Sequence, residues 1–151
     1  MGDYLPGTIS QPKLARKTYR WLAALIDYIL FFSCFTVCLI FFGEKHISED
    51  GVVGYEVNNF PGLLVIASWW LLFPVLEGTT GQTLGKAIFN IKVIKADGTK
   101  ASFGNCVVRH LFDFVDYIPF LGFVGIIVAS NNNLKQRVGD LVAKTIVVPS
   151  K

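Results

Sequence analysis

Two long apolar runs and one broken one dominate the hydrophobic pattern of the chain. Residues 21–43, WLAALIDYILFFSCFTVCLIFFG, contain a single charge, Asp27. At about 1.5 Å per residue, a helix of this length crosses the roughly 30 Å hydrocarbon core of a bilayer. Tyr19 and Trp21 stand at its N-terminal edge, where amphipathic rings favour the interface. A signal peptide, the alternative, has a shorter apolar core of about 7–15 residues and a small-residue cleavage site. This run ends instead in bulky Phe41 and Phe42. Residues 60–76, FPGLLVIASWWLLFPVL, carry no charge and reach the short limit of about 17 residues for a span. Asn59 suits an N-cap and Pro61 the first turn, while Pro74 predicts a kink or an end. A buried core helix of a soluble domain is the alternative reading of this second run.

The third region, residues 105–130, changes character midway. Its first half places Arg109, Asp113 and Asp116 at i, i+4 and i+7, one stripe of a helix. Val107, Val108, Leu111, Phe112 and Val115 fill the rest, which gives an amphipathic helix. Pro119 separates it from an apolar stretch, residues 117–129, that is short for a span and suits a re-entrant or interfacial element. A single tilted span from about Val107, its charges facing inward, is the competing path. Two short β-prone runs, residues 88–95 and 145–148, are predicted to pair, because an isolated short strand is not stable. Residues 96–99 (ADGT) read as a turn and residues 131–133 (NNN) as a polar loop.

Composition agrees with a membrane protein. Apolar residues make up 52% and charged residues 17%, against about 25% charged in an ordinary soluble domain. This excludes a disordered chain, and three cysteines exclude a disulfide scaffold. Charge placement sets the orientation. Lys13, Arg16, Lys17 and Arg20 precede the first span, and Lys86, Lys92, Lys95 and Lys100 follow the second. The loop between them, with Glu44, Lys45, Glu49, Asp50 and Glu56, nets −3. Basic residues mark cytoplasmic loops, so a cytoplasmic N-terminus and an outward loop at 44–59 are expected. Lys135, Arg137, Lys144 and the strand pairing favour a cytoplasmic C-terminus. The expected fold class is an all-α membrane protein. It is a small helical bundle with two clear transmembrane helices, a third broken or re-entrant region, and short cytoplasmic β-strands. Residues 1–12 form an N-terminal arm and 13–149 the membrane domain.

The candidate chemistry lies in the few charges within apolar segments. An Asp in a membrane span costs about 2.5–3.5 kcal/mol on insertion scales and faces a bundle interior. Arg20 shares the face of Asp27 but lies about 10 Å away along the axis, too far for direct contact. Asp27 therefore needs another partner, for which Arg109 is the best candidate. Two readings follow: a protonatable cation site, or a structural pair locking the first span to the third region. Glu77, Thr83 and Lys86, near the end of the second span, suit the vestibule of such a site; a capped, solvated loop is the plainer account. Arg109 and Asp113 are also spaced for a helical salt bridge. Gly81 and Gly85 have GxxxG spacing in a polar setting, unlike a membrane dimer motif. Gly85-Lys86 lacks the earlier Gly of a phosphate loop. His46 and His110 have no metal constellation, and Cys34, Cys38 and Cys106 suit packing. Trp69 and Trp70 diverge by about 100°, so one is expected to face lipid. The expectation is therefore no enzyme, cofactor, metal or nucleic-acid partner. The lipid bilayer is the first partner, with a homo-oligomer or membrane-protein partner supplying further walls for any pathway.

The order of several motifs resembles the RDD family of bacterial membrane proteins. Arg20 to Asp27, RWLAALID, opens the match. Residues 81–86 (GQTLGK), the strand ending at Lys95, Asp97-Gly98 and Arg109 continue it. Residues 136–140 (QRVGD) and 143–148 (AKTIVV) close it. Lys144 stands where the family often has a small residue. The resemblance implies an RDD-type transmembrane domain over 13–149, in a bacterial inner membrane. Its defining residues carry over to Arg20, Asp27 and Asp140. It also implies transport of a small solute or cation, sodium–proton exchange included; the lack of a recognisable nucleophile, metal site or cofactor loop favours a scaffold or accessory subunit as the alternative.

Overall fold

The computed structural model describes residues 13–57, 59–113 and 123–150. The N-terminal arm, Asp116 and the break at Pro119 lie outside them. Helix α1 runs Lys17–Phe42, 26 residues. Its buried residues are Arg20, Ala23 and Asp27, spaced along one face, so α1 buries its polar stripe. Its apolar residues point outward instead: Ile40 is 72% and Phe41 75% exposed. This reverses the pattern of a soluble amphipathic helix. The hydroxyls of Ser33 and Thr36 bond back to the carbonyls of Ile29 and Phe32, which satisfies them within an apolar helix.

Strands β1 (Glu44–Ile47) and β2 (Val53–Glu56) follow as an exposed antiparallel hairpin, Glu44 opposite Glu56. The sequence reading had only an acidic loop here. Helix α2 (Asn59–Trp70) leads through a wider turn, Leu71–Val75, into α3 (Leu76–Thr80). At that turn the Leu76 N–H reaches back five residues to the Leu71 carbonyl. Pro74, which lacks an N–H, sits within this π-type turn. Pro74 therefore does not end the helix: Phe60–Thr80 forms 21 residues long and apolar enough to cross a membrane. Leu63 and Ile66 are exposed, which counts against the soluble core-helix alternative. Trp70 is exposed and stacks on Phe103, whereas Trp69 packs towards Phe73. Gly81, at φ +80°, stops α3 with its N–H on the Glu77 carbonyl.

Helix α4 (Leu84–Ile88) and strand β3 (Ile91–Lys95) come next. As expected, β3 pairs with the C-terminal strand β4 (Thr145–Pro149), with Val93 opposite Val147. The turn at Asp97-Gly98 brings Lys100 back beside Ile94. On the other side, the Ala15 N–H donates to the Val147 carbonyl at 2.9 Å. The sheet thus joins the approach to α1 to both strands. Ala15, Ala23, Ile91, Val93, Ala101, Cys106 and Val147 form the apolar core at this end. Cys34, in contrast, is exposed on α1.

Helix α5 (Phe103–Leu111) starts two residues before the expected 105 because Ser102 and Asn105 form a reciprocal cap. Helix α6 (Phe123–Ser130) ends in the predicted polar loop. There Asn132 donates to the Val128 and Gln136 carbonyls and accepts from the Gln136 N–H. Helix α7 (Val138–Val142) leads into β4. Between them Lys144 has φ +52°, a left-handed conformation that glycine adopts without strain. The departure from a small residue at 144 therefore falls on a strained backbone position.

Candidate functional site

The site begins where α4 meets α1. A Cβ on Gly85 would collide with the Ala23 carbonyl and approach Asp27 Oδ2 to 3.0 Å, so only glycine lets the two backbones come this close. The approach delivers two neutral donors to Asp27. The Gly85 N–H donates to Oδ1 at 2.7 Å, and the Thr83 hydroxyl to Oδ2 at 2.5 Å. Thr83 also caps α4 by accepting from the Lys86 N–H. Among the described residues, no cationic side chain forms an ion pair with Asp27. The expected Asp27–Arg109 pairing is thus replaced by hydrogen bonds from α4. The reason is geometric: Arg109 is already occupied by two other carboxylates.

Those carboxylates are Glu77 and Asp140. Arg109 Nη1 lies 2.6 Å from Glu77 Oε1, and Nε lies 2.8 Å from Asp140 Oδ1, with all three side chains fully buried. Glu77 also pairs with Lys86, and Asp140 with Arg20, which donates in addition to the Lys135 carbonyl. The Arg137 backbone N–H donates to Asp140 Oδ2 at 3.1 Å, and its guanidinium faces Asp113 at 3.4 Å. Charges this deep persist only when paired, and removing one partner of a buried pair costs about 3–5 kcal/mol. Burial alone would raise the Asp140 carboxyl; Arg109, Arg20 and Arg137 outweigh it and hold it well below the usual carboxylate range.

His110 completes the group. Its Nδ1 lies 2.6 Å from Asp113 Oδ2 and its Nε2 3.4 Å from Glu77 Oε1. The ring meets Phe73 of the π-type turn edge-on. Asp27, Lys86, Arg109, His110, Asp113 and Arg137 line a shared cleft with a cavity volume of about 20 Å³, room for about one water-sized occupant. With His110 neutral, the described charges balance: Arg20, Lys86, Arg109 and Arg137 against Asp27, Glu77, Asp113 and Asp140.

The structure brings together Arg20, Asp27, Glu77, Thr83, Lys86, Arg109, Asp113 and Asp140; Asp116 lies outside the described residues. Two expected pairings change. Arg109 leaves Asp113 for Glu77 and Asp140, and Asp113 turns to His110 and Arg137 instead. Glu77 and Thr83 are fully buried, so the solvated-loop reading fails for these two, whereas Thr79 and Thr80 between them are exposed. Sequence reasoning missed His110, Arg137 and Gly85 as members of the group. His110 has no metal partners along the sequence, but its position next to Arg109 is a usable signal.

Two apolar helices long enough to cross a membrane, with charges gathered on their inner faces, define a small helix-rich protein built around buried ion pairs. The RDD family model matches residues 14–144, and the chain belongs to the RDD family. It is similar to the proline-rich antigen homolog of Mycobacterium tuberculosis (strain ATCC 25618 / H37Rv), 34% identical over 108 residues. That match covers 71% of this chain and 44% of the relative. It is also similar to the proline-rich antigen of Mycobacterium leprae (strain TN), 28% identical over 114 residues, covering 65% of this chain and 45% of the relative. The chain thus spans less than half the length of these curated relatives. No solved structure matches it.

Proposed function

We propose that this is a non-enzymatic integral membrane protein that carries a small cation, with Asp27 as the binding carboxylate. The observation behind this reading is the contrast between Asp27 and its neighbours. Glu77, Asp113 and Asp140 each face a cationic side chain, whereas among the described residues Asp27 accepts only from a hydroxyl and a peptide N–H and lines the cleft. With no cationic side chain paired to it among the described residues, its oxygens are open to a cation in the cleft, and intramembrane carboxylates of this kind serve ion pathways. Exchange of a proton for sodium fits a cleft that holds both a carboxylate and a histidine. Two spans give few walls, so a homo-oligomer or a membrane-protein partner would complete the pathway. Residue 15, β3 and β4 are hydrogen-bonded together, which supports placing the approach to α1 and the β4 end on one side of the bilayer. The lysines there favour the cytoplasm.

Sodium flux through the purified protein in liposomes tests the reading. We expect uptake driven by a pH gradient, abolished by Asp27→Asn in a protein that still assembles. Absence of flux from the correctly folded wild-type protein would refute it.

A scaffold or accessory subunit is the second reading. It is favoured by the ion pairs that join α1, α3, α5 and α7 through Glu77 and Asp140. A stoichiometric partner that co-purifies with a flux-inactive protein would favour it over transport.

A further inference from the structure

The histidine between the two carboxylates has a role that the ion pairs do not account for. Its Nδ1 sits 2.6 Å from an Asp113 carboxylate oxygen, so in the neutral ring the proton belongs on Nδ1 and the lone pair on Nε2. Nε2 is buried, has no hydrogen bond among the described residues, and lies 3.4 Å from Glu77 Oε1. In the neutral form it sets a lone pair against carboxylate lone pairs; a proton there would turn the contact into an attraction. The charged groups around this region come from every packed element: Arg20 and Asp27 on α1, Glu77 on α3, Lys86 on α4, Arg109 and Asp113 on or just after α5, Arg137 before α7 and Asp140 on it. Since their charges balance with His110 neutral, a proton on Nε2 gives the cleft a net positive charge. A cation beside Asp27 does the same.

We propose that His110 carries the proton displaced when a cation occupies the cleft beside Asp27. This rests on the cation-binding reading above and names its proton carrier. On cation entry the Nε2–H bond breaks, its electron pair stays on Nε2, and the proton leaves to water. On cation exit a proton returns from water to the Nε2 lone pair. Both events leave the cleft with the same charge.

The test uses the purified full-length protein in detergent with sodium chloride as the probe and choline chloride as the ionic-strength control. Calorimetric titration in buffers of differing ionisation enthalpy counts protons released per sodium bound, and imidazole 15N resonances report the state of His110. The expected result is release of about one proton per sodium, with apparent affinity falling about tenfold per pH unit below the His110 midpoint, as reciprocal linkage requires. At fixed pH, sodium should shift the His110 signal towards the neutral ring. His110→Gln should abolish the proton release, and His46→Gln, in the exposed hairpin, should leave it intact. Sodium binding with an unchanged His110 signal, or with full proton release in His110→Gln, would overturn the proposal. No sodium binding by the wild-type protein would instead sink the cation reading on which it rests. If His110→Gln fails to fold, the wild-type resonances decide.

Discussion

Thr83→Val probes how the Asp27 carboxylate is held. The change is nearly isosteric and removes one hydroxyl from a fully buried side chain. Asp27 Oδ2 then loses its 2.5 Å donor. A hydrogen bond to a charged group contributes about 1.5–3 kcal/mol, and one between neutral groups about 0.5–1.5. Thr83 Oγ1 also caps α4, but over a long 3.4 Å contact, so that loss sits at the low end of about 0.5–2 kcal/mol. The total expected destabilisation is about 2–3.5 kcal/mol. With Asp27→Asn as background the acceptor is neutral, and the same change should cost about 1–2 kcal/mol. The coupling is therefore about 1–1.5 kcal/mol. Equilibrium unfolding in mixed micelles with rising SDS, followed by tryptophan fluorescence, measures all four proteins. Thr83→Ser keeps the hydroxyl and should lose no more than about 1 kcal/mol, roughly the value of a buried methyl. Equal losses from Thr83→Val in both backgrounds would refute the claim that this hydroxyl serves the Asp27 charge.

Gly85→Ala should destabilise by about 1–3 kcal/mol through overpacking against Ala23, seen in the same SDS titration. Arg109→Met strands Glu77 and Asp140 with one cationic partner fewer each and should cost about 3–5 kcal/mol; a neutral result would show the pairs to be dispensable. Asp140 titrates lower in the folded protein than in the unfolded chain, so its contribution is fully present above about pH 4 and is lost as pH falls below that value. Asp140→Asn should therefore lower stability at neutral pH and flatten the acid limb of the stability profile. Lys144→Gly should gain about 0.5–1 kcal/mol by relieving the left-handed backbone, read as a higher SDS midpoint.

The elements with the strongest periodic or apolar signal were legible in the chain: α1, the second long helix, the β3–β4 pair and the polar loop at 131–133. The hairpin at 44–56 was not, because its strands are short, exposed and acidic, and give no buried alternation to detect. The membership of the charge cluster was largely readable, since a charge inside an apolar run has few places to go. Its wiring was not. Spacing along a helix favoured Arg109 with Asp113, but partner choice is made across elements that sequence distance does not order. Glu77 reaches Arg109 only because α3 packs against α5, where Gly78 leaves space for Phe103. Asp27 finds its donors only because Gly85 lets α4 approach. His110 was overlooked because a search for metal ligands asks for other histidines and cysteines, whereas its partners are carboxylates.

The surplus residue in the turn at 71–75 acts as a phase shifter. Each residue of an α-helix advances the facing direction by about 100°, so one extra residue resets the azimuth of everything after it. Upstream, Leu63 and Ile66 point away from the protein; downstream, Glu77 is wholly enclosed. The length of the second span and the direction of its glutamate are therefore set by separate means. Turning this segment into regular α-helix with no residue removed would lengthen the helix by only about 1.5 Å. It would also swing Glu77 towards the apolar exterior and leave Lys86 and Arg109 facing each other without the anion between them.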